Sequence, residues 1–185
     1  IMGKTLSELT SLYLNKNKID SILSLKDLSA SDNATVGESI ILFQENLITD
    51  FDISDAVKFH SDSKAELTAV LTEPDSAGCT KGLCAAVNKD GIITSFSSNA
   101  NTASPFLYSF AGIFIIDSTS SLINSAALSN FTAENILSAA LTSGIRINGC
   151  ISADKFIFVN TQNDYIRCHE MIMSEGINKF YLDTK

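Results

Sequence analysis

"ILFQENLITDFDISDAVKFH", residues 41–60, is the stretch whose reading decides the fold. Apolar residues at 41–43 give way to Gln44, Glu45 and Asn46. Apolar Leu47 and Ile48 follow, and then Asp50 and Asp52 precede a segment that places Ala56, Val57 and His60 on one side at helical spacing. The order is strand, turn, helix. Taken back to residue 38, "ESIILF" is the short, nearly continuous apolar run that a strand buried on both faces requires, and it is the best central-strand candidate. Asp52 or Ser54 is the expected helix cap, because a short polar side chain there can accept a bond from an unpaired N–H of the first turn. "AELTAVLTE", 65–73, returns as a strand and completes a βαβ unit. In α/β folds the turn after a strand's carboxyl end is where ligands bind, so residues 44–46 pose the functional question.

Outward from this unit, "KTLSELTSLYLNKNK" (4–18) sets Leu6, Leu9, Leu12 and Tyr13 on one face and predicts a short N-terminal helix over 5–15. "DSILSLKDLSAS" (20–31), with Ile22, Leu25 and Lys26, predicts a second helix. "GLCAAVNKDGIITSFSS" (82–98) has two β-prone runs around residues 88–91, a hairpin signal. "FAGIFIID" (110–117) reads as a buried strand. Helices are expected through 118–128 and 132–144, the latter with Thr132 as cap and Gly144 as stop. "IRINGCIS" and "DKFIFVN" are late strands, and "TQNDYIRCHEMIMSEG" (161–176) is a closing helix with Tyr165, Cys168, Met171 and Ile172 inward. This order predicts an α/β fold with a mixed sheet and flanking helices. With no repeat, low-complexity tract or linker, residues 1–185 form a single expected domain.

At 185 residues and 45% hydrophobic content the chain can bury a substantial core. Its formal charge of −8 argues against direct nucleic-acid binding, which rests on Lys and Arg displacing counterions. No apolar run approaches the roughly 20 residues that span a bilayer, and the first residues lack a signal-peptide pattern, so the expectation is an intracellular, cytoplasmic protein with no membrane partner. The two glycosylation-like triplets at Asn33 and Asn130 carry little weight in that setting. Cys79, Cys84, Cys150 and Cys168 do not follow zinc or redox spacing and are expected as reduced, buried thiols. Ile1 precedes Met2, which suggests an added residue or a piece of a longer chain.

Other candidates are weighed one by one. Asp50 and Asp52 could share a cation, but acids at a helix entry suit its positive end. His60 is expected as a core histidine, and His169, between Arg167 and Glu170, has no nucleophile signature beside it. Asp154, Lys155 and Asp164 could meet a polar ligand, or form a solvated loop and a helix cap. "SAGCTKG", with Gly78 and Gly82, lacks the order of a phosphate loop. Phe106, Leu107, Tyr108, Phe110, Phe114 and Phe131 make an aromatic stretch that either fills a core or forms an interface.

The ordered set resembles the sugar-nucleotide pyrophosphorylases, a nucleotidyltransferase family. Residues 37–73 resemble the family's strand, NGD turn, "LTDFDL" continuation, FH-containing helix and next strand. "NKDGIITSF" resembles its "DEDGRIIEF" hairpin, "FAGIFIID" its "NAGIYIFD" strand, and "DKFIFVNTQNDYIRCHEMI" its "GYWIDIGTPEDYLKANE" close. The resemblance runs from 19 to 172 and implies a partial Rossmann-like nucleotidyltransferase fold. In the family, an Asp of the NGD turn and a later Asp hold magnesium against phosphates, chemistry in which the metal offsets charge during displacement. The matching positions are Asn46 and Phe158. The family's sugar-contacting Glu-Lys pair matches Ser97 and Ser98, the Asn of "NAGIY" matches Phe110, and the Gly after the second Asp matches Asn160. No G-x-G-T-R loop precedes residue 19, so the resemblance implies that the N-terminal nucleotide-binding half is lacking.

These departures imply no catalytic residue, no metal and no cofactor. The resulting expectation is a catalytically inactive structural or regulatory subunit with protein partners. The alternatives are an enzyme whose N-terminal half is missing or supplied by another chain, and a module retaining nucleotide-sugar binding.

Overall fold

The computed structural model describes residues 8, 12–13, 23–24, 39–44, 46–73, 82–98, 107–124 and 132–175. The first strands are β1 (Leu23–Ser24), β2 (Ser39–Phe43) and β3 (Leu47–Thr49), followed by helix α1 (Ile53–Ser63) and β4 (Leu67–Thr72). A hairpin of β5 (Cys84–Val87) and β6 (Ile93–Ser97) leads to β7 (Leu107–Asp117) and a 3-10 turn at Ser121–Asn124. Helix α2 (Ala133–Thr142), β8 (Ile147–Ser152), β9 (Phe156–Phe158) and helix α3 (Gln162–Glu175) complete the order.

The main sheet runs β1-β2-β7-β4-β8, with β5 also paired to β7 and β6 to β5. β7 lies antiparallel between β2 and β4, while β4 and β8 are parallel, which makes the sheet mixed as expected. The βαβ unit is present, with β7 inserted between its two strands. β2 is flanked on both sides, yet β7 is the strand at the centre.

Alternation along the strands builds two apolar layers. Ile41, Phe43, Val70, Ala111, Ile113, Ile115 and Cys150 face a layer with Ile53 and Ala56 of α1, Tyr13 and Cys168 of α3. Leu42, Leu67, Ala69, Leu71, Phe110, Phe114, Ile116 and Ile147 face the other, covered by Ile136, Leu137 and Ala140 of α2 and by the hairpin. Each fully buried Leu or Ile contributes about 1.5–3 kcal/mol of transfer free energy, so these layers carry the stability. The hairpin tip reaches β8, where the Gly149 N–H donates to Gly91 O at 2.8 Å. A Cβ on Gly149 would stand 3.5 Å from Gly91 O, an ordinary contact, but 2.8 Å from Leu71 Cδ1, so a side chain there would have to displace the buried leucine.

Helix signals held where they were local. Asp52 is the cap of α1 and accepts from Ser54 N, and Thr132 caps α2 by accepting from Asn135 N. Gly144 follows α2 at φ 70°, the left-handed region that favours glycine. Residues 8, 12 and 13 are helical, in keeping with the first expected helix. Two expectations are corrected. Leu23–Ser24 is a strand rather than part of a helix over 20–31, because Leu23 pairs in parallel with Leu42 and that bonding overrides a weak helical pattern. Of the helix expected through 118–128, the described residues 118–124 hold a 3-10 turn at Ser121–Asn124 instead, and 125–128 lie outside the described residues. There Asp117 Oδ1 accepts from Thr119 N and Ser120 Oγ from Leu122 N, and such local side-chain bonds compete with an α-helix.

The expected inward faces at Leu6, Leu9, Ile22, Leu25, Lys26, Met171 and Ile172 lie outside the described side chains, as do Cys79, Phe106 and Phe131. Among the described residues, no helix is long and apolar enough to cross a membrane.

Candidate functional site

The turn after β2 meets the end of β9 at the carboxyl ends of the parallel strands. The Gln44 N–H leaves β2 by donating to Gly112 O at 2.9 Å, and the Leu47 N–H donates to Gln44 O at 3.0 Å, which closes the turn. The chain then departs from the main sheet, and β3 pairs antiparallel with β9, Leu47 opposite Phe158. The Val159 N–H donates to Asn46 O at 2.8 Å. Two positions more than a hundred residues apart are thereby made neighbours.

Asn46 Nδ2 donates to Asn160 Oδ1 at 2.6 Å. Asn160 is fixed in turn, because its N–H and that of Thr161 both donate to Asp164 Oδ2, at 3.1 and 2.9 Å. The Asp164 N–H returns a bond to Thr161 Oγ1 at 3.1 Å, a reciprocal arrangement that caps α3. Asp164 therefore serves the helix start.

Phe158 lies on Gly112. A Cβ built on Gly112 would fall 2.9 Å from Phe158 Cε1 and 3.3 Å from Gln44 Cβ, and Gly112 has φ 82°. The local irregularity that makes this possible is in β7: Ala69 faces Phe114 while Leu71 faces Phe110, so β7 carries extra residues opposite Val70. Such a bulge bends the strand and re-aims its neighbours. A glycine inside the apolar run "FAGIF" is the sequence signal for it.

Of the singled-out positions, the structure joins Asn46 and Phe158, with Asn160 added. Ser97 ends β6 opposite Cys84, and Ser98 follows it; both are exposed and stand two strands from β7. Phe110 turns into the other apolar layer, 8% exposed, with its ring 4.4 Å from that of Phe114 and stacked on it. These three are not brought to Asn46 and Phe158. Within the aromatic stretch, Phe110 and Phe114 fill core, as one of its two readings expected.

Asp50, Asp154, His60 and the described cysteines have structural roles. Asp50 Oδ1 accepts from the Lys155 N–H at 3.0 Å and ties the start of β9 to the end of β3. Ser152 Oγ donates to Asp154 Oδ2 at 2.6 Å within a loop. His60 is a core residue, 3% exposed, with Nδ1 2.8 Å from Thr68 Oγ1. Burial holds its pKa below the ordinary value, opposed by the nearby Asp117 carboxylate. Cys84, Cys150 and Cys168 are buried free thiols as expected. Burial pushes Cys150 and Cys168 up to about 11.

The magnesium implied by the family resemblance does not fit these residues. Magnesium takes hard oxygen donors, carboxylates above all. Phe158 offers no donor atom, Asn46 offers an uncharged amide, and no described group of three or more His, Cys, Asp and Glu could hold a metal.

Neither family models nor curated proteins match this chain. Solved structures do. The chain is similar to the inositol-1-phosphate CTP transferase of T. maritima with a TM-score of 0.72 and 13% identity, covering 99% of this chain and 87% of that one. It is similar to a Bacillus anthracis protein described as a glucose-1-phosphate thymidylyltransferase, in complex with a sucrose. That match has a TM-score of 0.67 and 13% identity, over 91% of this chain and 82% of that one. A third similarity is to HddC from Yersinia pseudotuberculosis, complexed with GMP-PN, with a TM-score of 0.64 and 14% identity, over 90% of this chain and 84% of that one. The first of these extends on both sides of residues 19–172 and takes in most of the T. maritima chain. At such identities the likeness is one of fold, and the chain has the mixed α/β fold of these nucleotidyltransferases.

Proposed function

We propose that this chain is a catalytically inactive nucleotidyltransferase-like protein acting as a structural or regulatory subunit of a larger assembly. One observation carries the proposal: at the two positions where the resemblance expects magnesium-binding carboxylates, β3 and β9 bring together an amide, Asn46, and a phenyl ring, Phe158. Phosphoryl chemistry of this kind depends on positioned cations to offset charge, so replacing donors with a ring removes its means. The reading in which another chain supplies a missing half draws less support, since 87% of the T. maritima chain falls within the likeness. A supplied half would also leave Phe158 in place.

Protein partners and an intracellular, cytoplasmic setting belong to the same proposal. Buried thiols without disulfides at Cys84, Cys150 and Cys168 are usual in a reducing compartment. The test has two parts. The protein is incubated with magnesium, each nucleoside triphosphate and a panel of sugar 1-phosphates, and pyrophosphate release is followed. Release above the background of a heat-denatured sample would overturn the proposal. The native protein is then isolated at near-physiological salt and its co-purifying species are weighed. A stable complex of defined mass supports a subunit role, and a lone monomer refutes it.

A further inference from the structure

We propose that the junction of β3, β9 and β7 is a metal-free clasp, in which Phe158 and the Asn46–Asn160 amide pair hold the site together without a divalent cation. This rests on the inactive-protein proposal and goes further, because it states what the replaced residues do. Four contacts converge there from different parts of the chain. The Phe158 ring sits on Gly112, close enough that a Cβ would fall 2.9 Å from Cε1. Asn46 Nδ2 and Asn160 Oδ1 are 2.6 Å apart. The backbone bonds from Gln44 N to Gly112 O and from Val159 N to Asn46 O, at 2.9 and 2.8 Å, run between the same segments. β3 and β9 are three residues each and, among the described strands, pair with one another alone, so a sheet this small needs side-chain contacts to persist.

The chemistry of the parts favours a clasp over a cation seat. Two carboxylates in these positions would repel one another unless a cation lay between them. An amide pair has no such need, since donor and acceptor satisfy each other, and a ring on a glycine contributes contact area in place of charge. Order at the carboxyl ends of β2 and β9 is therefore independent of magnesium and of phosphate ligands. The bound and unbound conditions that a metal site would distinguish are one state here.

The experiment uses the whole chain and two readouts that do not depend on activity. Manganese binding is measured by the loss of free-ion paramagnetic signal on titration with protein. Amide hydrogen exchange is measured at Gln44 and Val159, in 10-fold excess magnesium and in chelator. The expected result is no saturable manganese binding and equal protection in both conditions. Phe158→Ala and Asn160→Ala should each speed exchange of the Val159 N–H about tenfold, as for losing roughly 1.4 kcal/mol of local closure, while amides of β4 and β8 stay protected and show that the fold persists. Manganese bound at one per chain and released by Asn46→Ala would overturn the clasp, as would protection that rises with magnesium. Unchanged exchange at Val159 in both variants would overturn it too. Pyrophosphate release by the wild-type protein would instead strike the inactive-protein proposal, so the two failures are told apart.

Discussion

His60 shows how a polar residue in the core becomes a sensor of pH. Its imidazole is buried beneath α1 with Nδ1 against Thr68 Oγ1. Burial is the larger influence and lowers its pKa from 6.5, while Asp117 acts in the opposite direction. The unfolded chain takes up this proton near pH 6.5, and the folded chain does so only at lower pH. Between those values the unfolded state binds more protons, so the stability that His60 contributes is complete above 6.5 and is lost as pH falls below it. The urea midpoint should therefore be lower at pH 5.5 than at pH 7.5, and His60→Gln should flatten that difference. An equal slope in the variant would rule His60 out as its source. Asp117 is held below the ordinary 3.8 by the Thr119 side-chain and backbone bonds, so its own influence falls at more acidic pH and does not blur the test. Gly112 gives the second prediction at this scale. Gly112→Ala places a methyl 2.9 Å from Phe158 and demands φ 82° of a residue with a Cβ, so it should cost about 1–3 kcal/mol in the urea midpoint. In a Phe158→Ala background the clash with the ring should vanish, while the 3.3 Å approach to Gln44 Cβ and the backbone share remain, making the two substitutions less than additive.

Elements were legible where their causes are local. Thr132 and Gly144 bracket α2 because a hydroxyl at the start and a left-handed residue past the end act within one turn. Thr132→Ala should thus lower stability by about 1 kcal/mol, and Thr132→Ser should restore most of it in the same denaturation experiment. No loss in the Ala variant would mean that tertiary packing alone sets where α2 begins. The hairpin was equally plain, since Asn88 Oδ1 accepts from the N–H groups of Asp90 and Ile92 and organises the turn by itself. What failed was decided at a distance. Leu23–Ser24 became a strand by pairing with Leu42 and Phe43, and no spacing within 20–31 reports that. The candidate site divides in the same way. Asn46 and Phe158 could be singled out by comparing each stretch with a family pattern, but their meeting depends on the β3–β9 register, and the Asn46–Asn160 bond spans 114 residues. The same family pattern covers Ser97, Ser98 and Phe110. The register of β5, β6 and β7 leaves them apart from that pair, which a single sequence does not encode in any local pattern.

At the scale of the molecule, the layer beneath α1 gathers residues from nearly every part of the chain, from Tyr13 through Phe43 and Ile113 to Cys168. If residues 1–185 are one domain, that layer opens as a unit, and its two thiols report the opening. Burial pushes Cys150, with the Asp55 carboxylate adding to the effect, and Cys168 to about 11 from 9.0. The reactive species is the thiolate, so at pH 8 about one thiol in a thousand is ionised at such a pKa, against roughly one in ten for an unshifted group. Ionisation alone then slows labelling about a hundredfold, before any loss of access is counted. Labelling of the native protein with a thiol reagent, read by mass at each cysteine, should accordingly be slow at Cys150 and Cys168. Both rates should rise together with urea as the shared layer opens. The two residues sit on different elements, β8 and α3, and this makes the comparison informative. Equal urea dependence shows that strand and helix are released in one cooperative step. Labelling of Cys168 at lower urea than Cys150 would show α3 leaving first. Its departure would take with it the Asp164 bonds that fix Asn160, so the clasp would loosen before the sheet does. The single-domain proposal requires the first outcome.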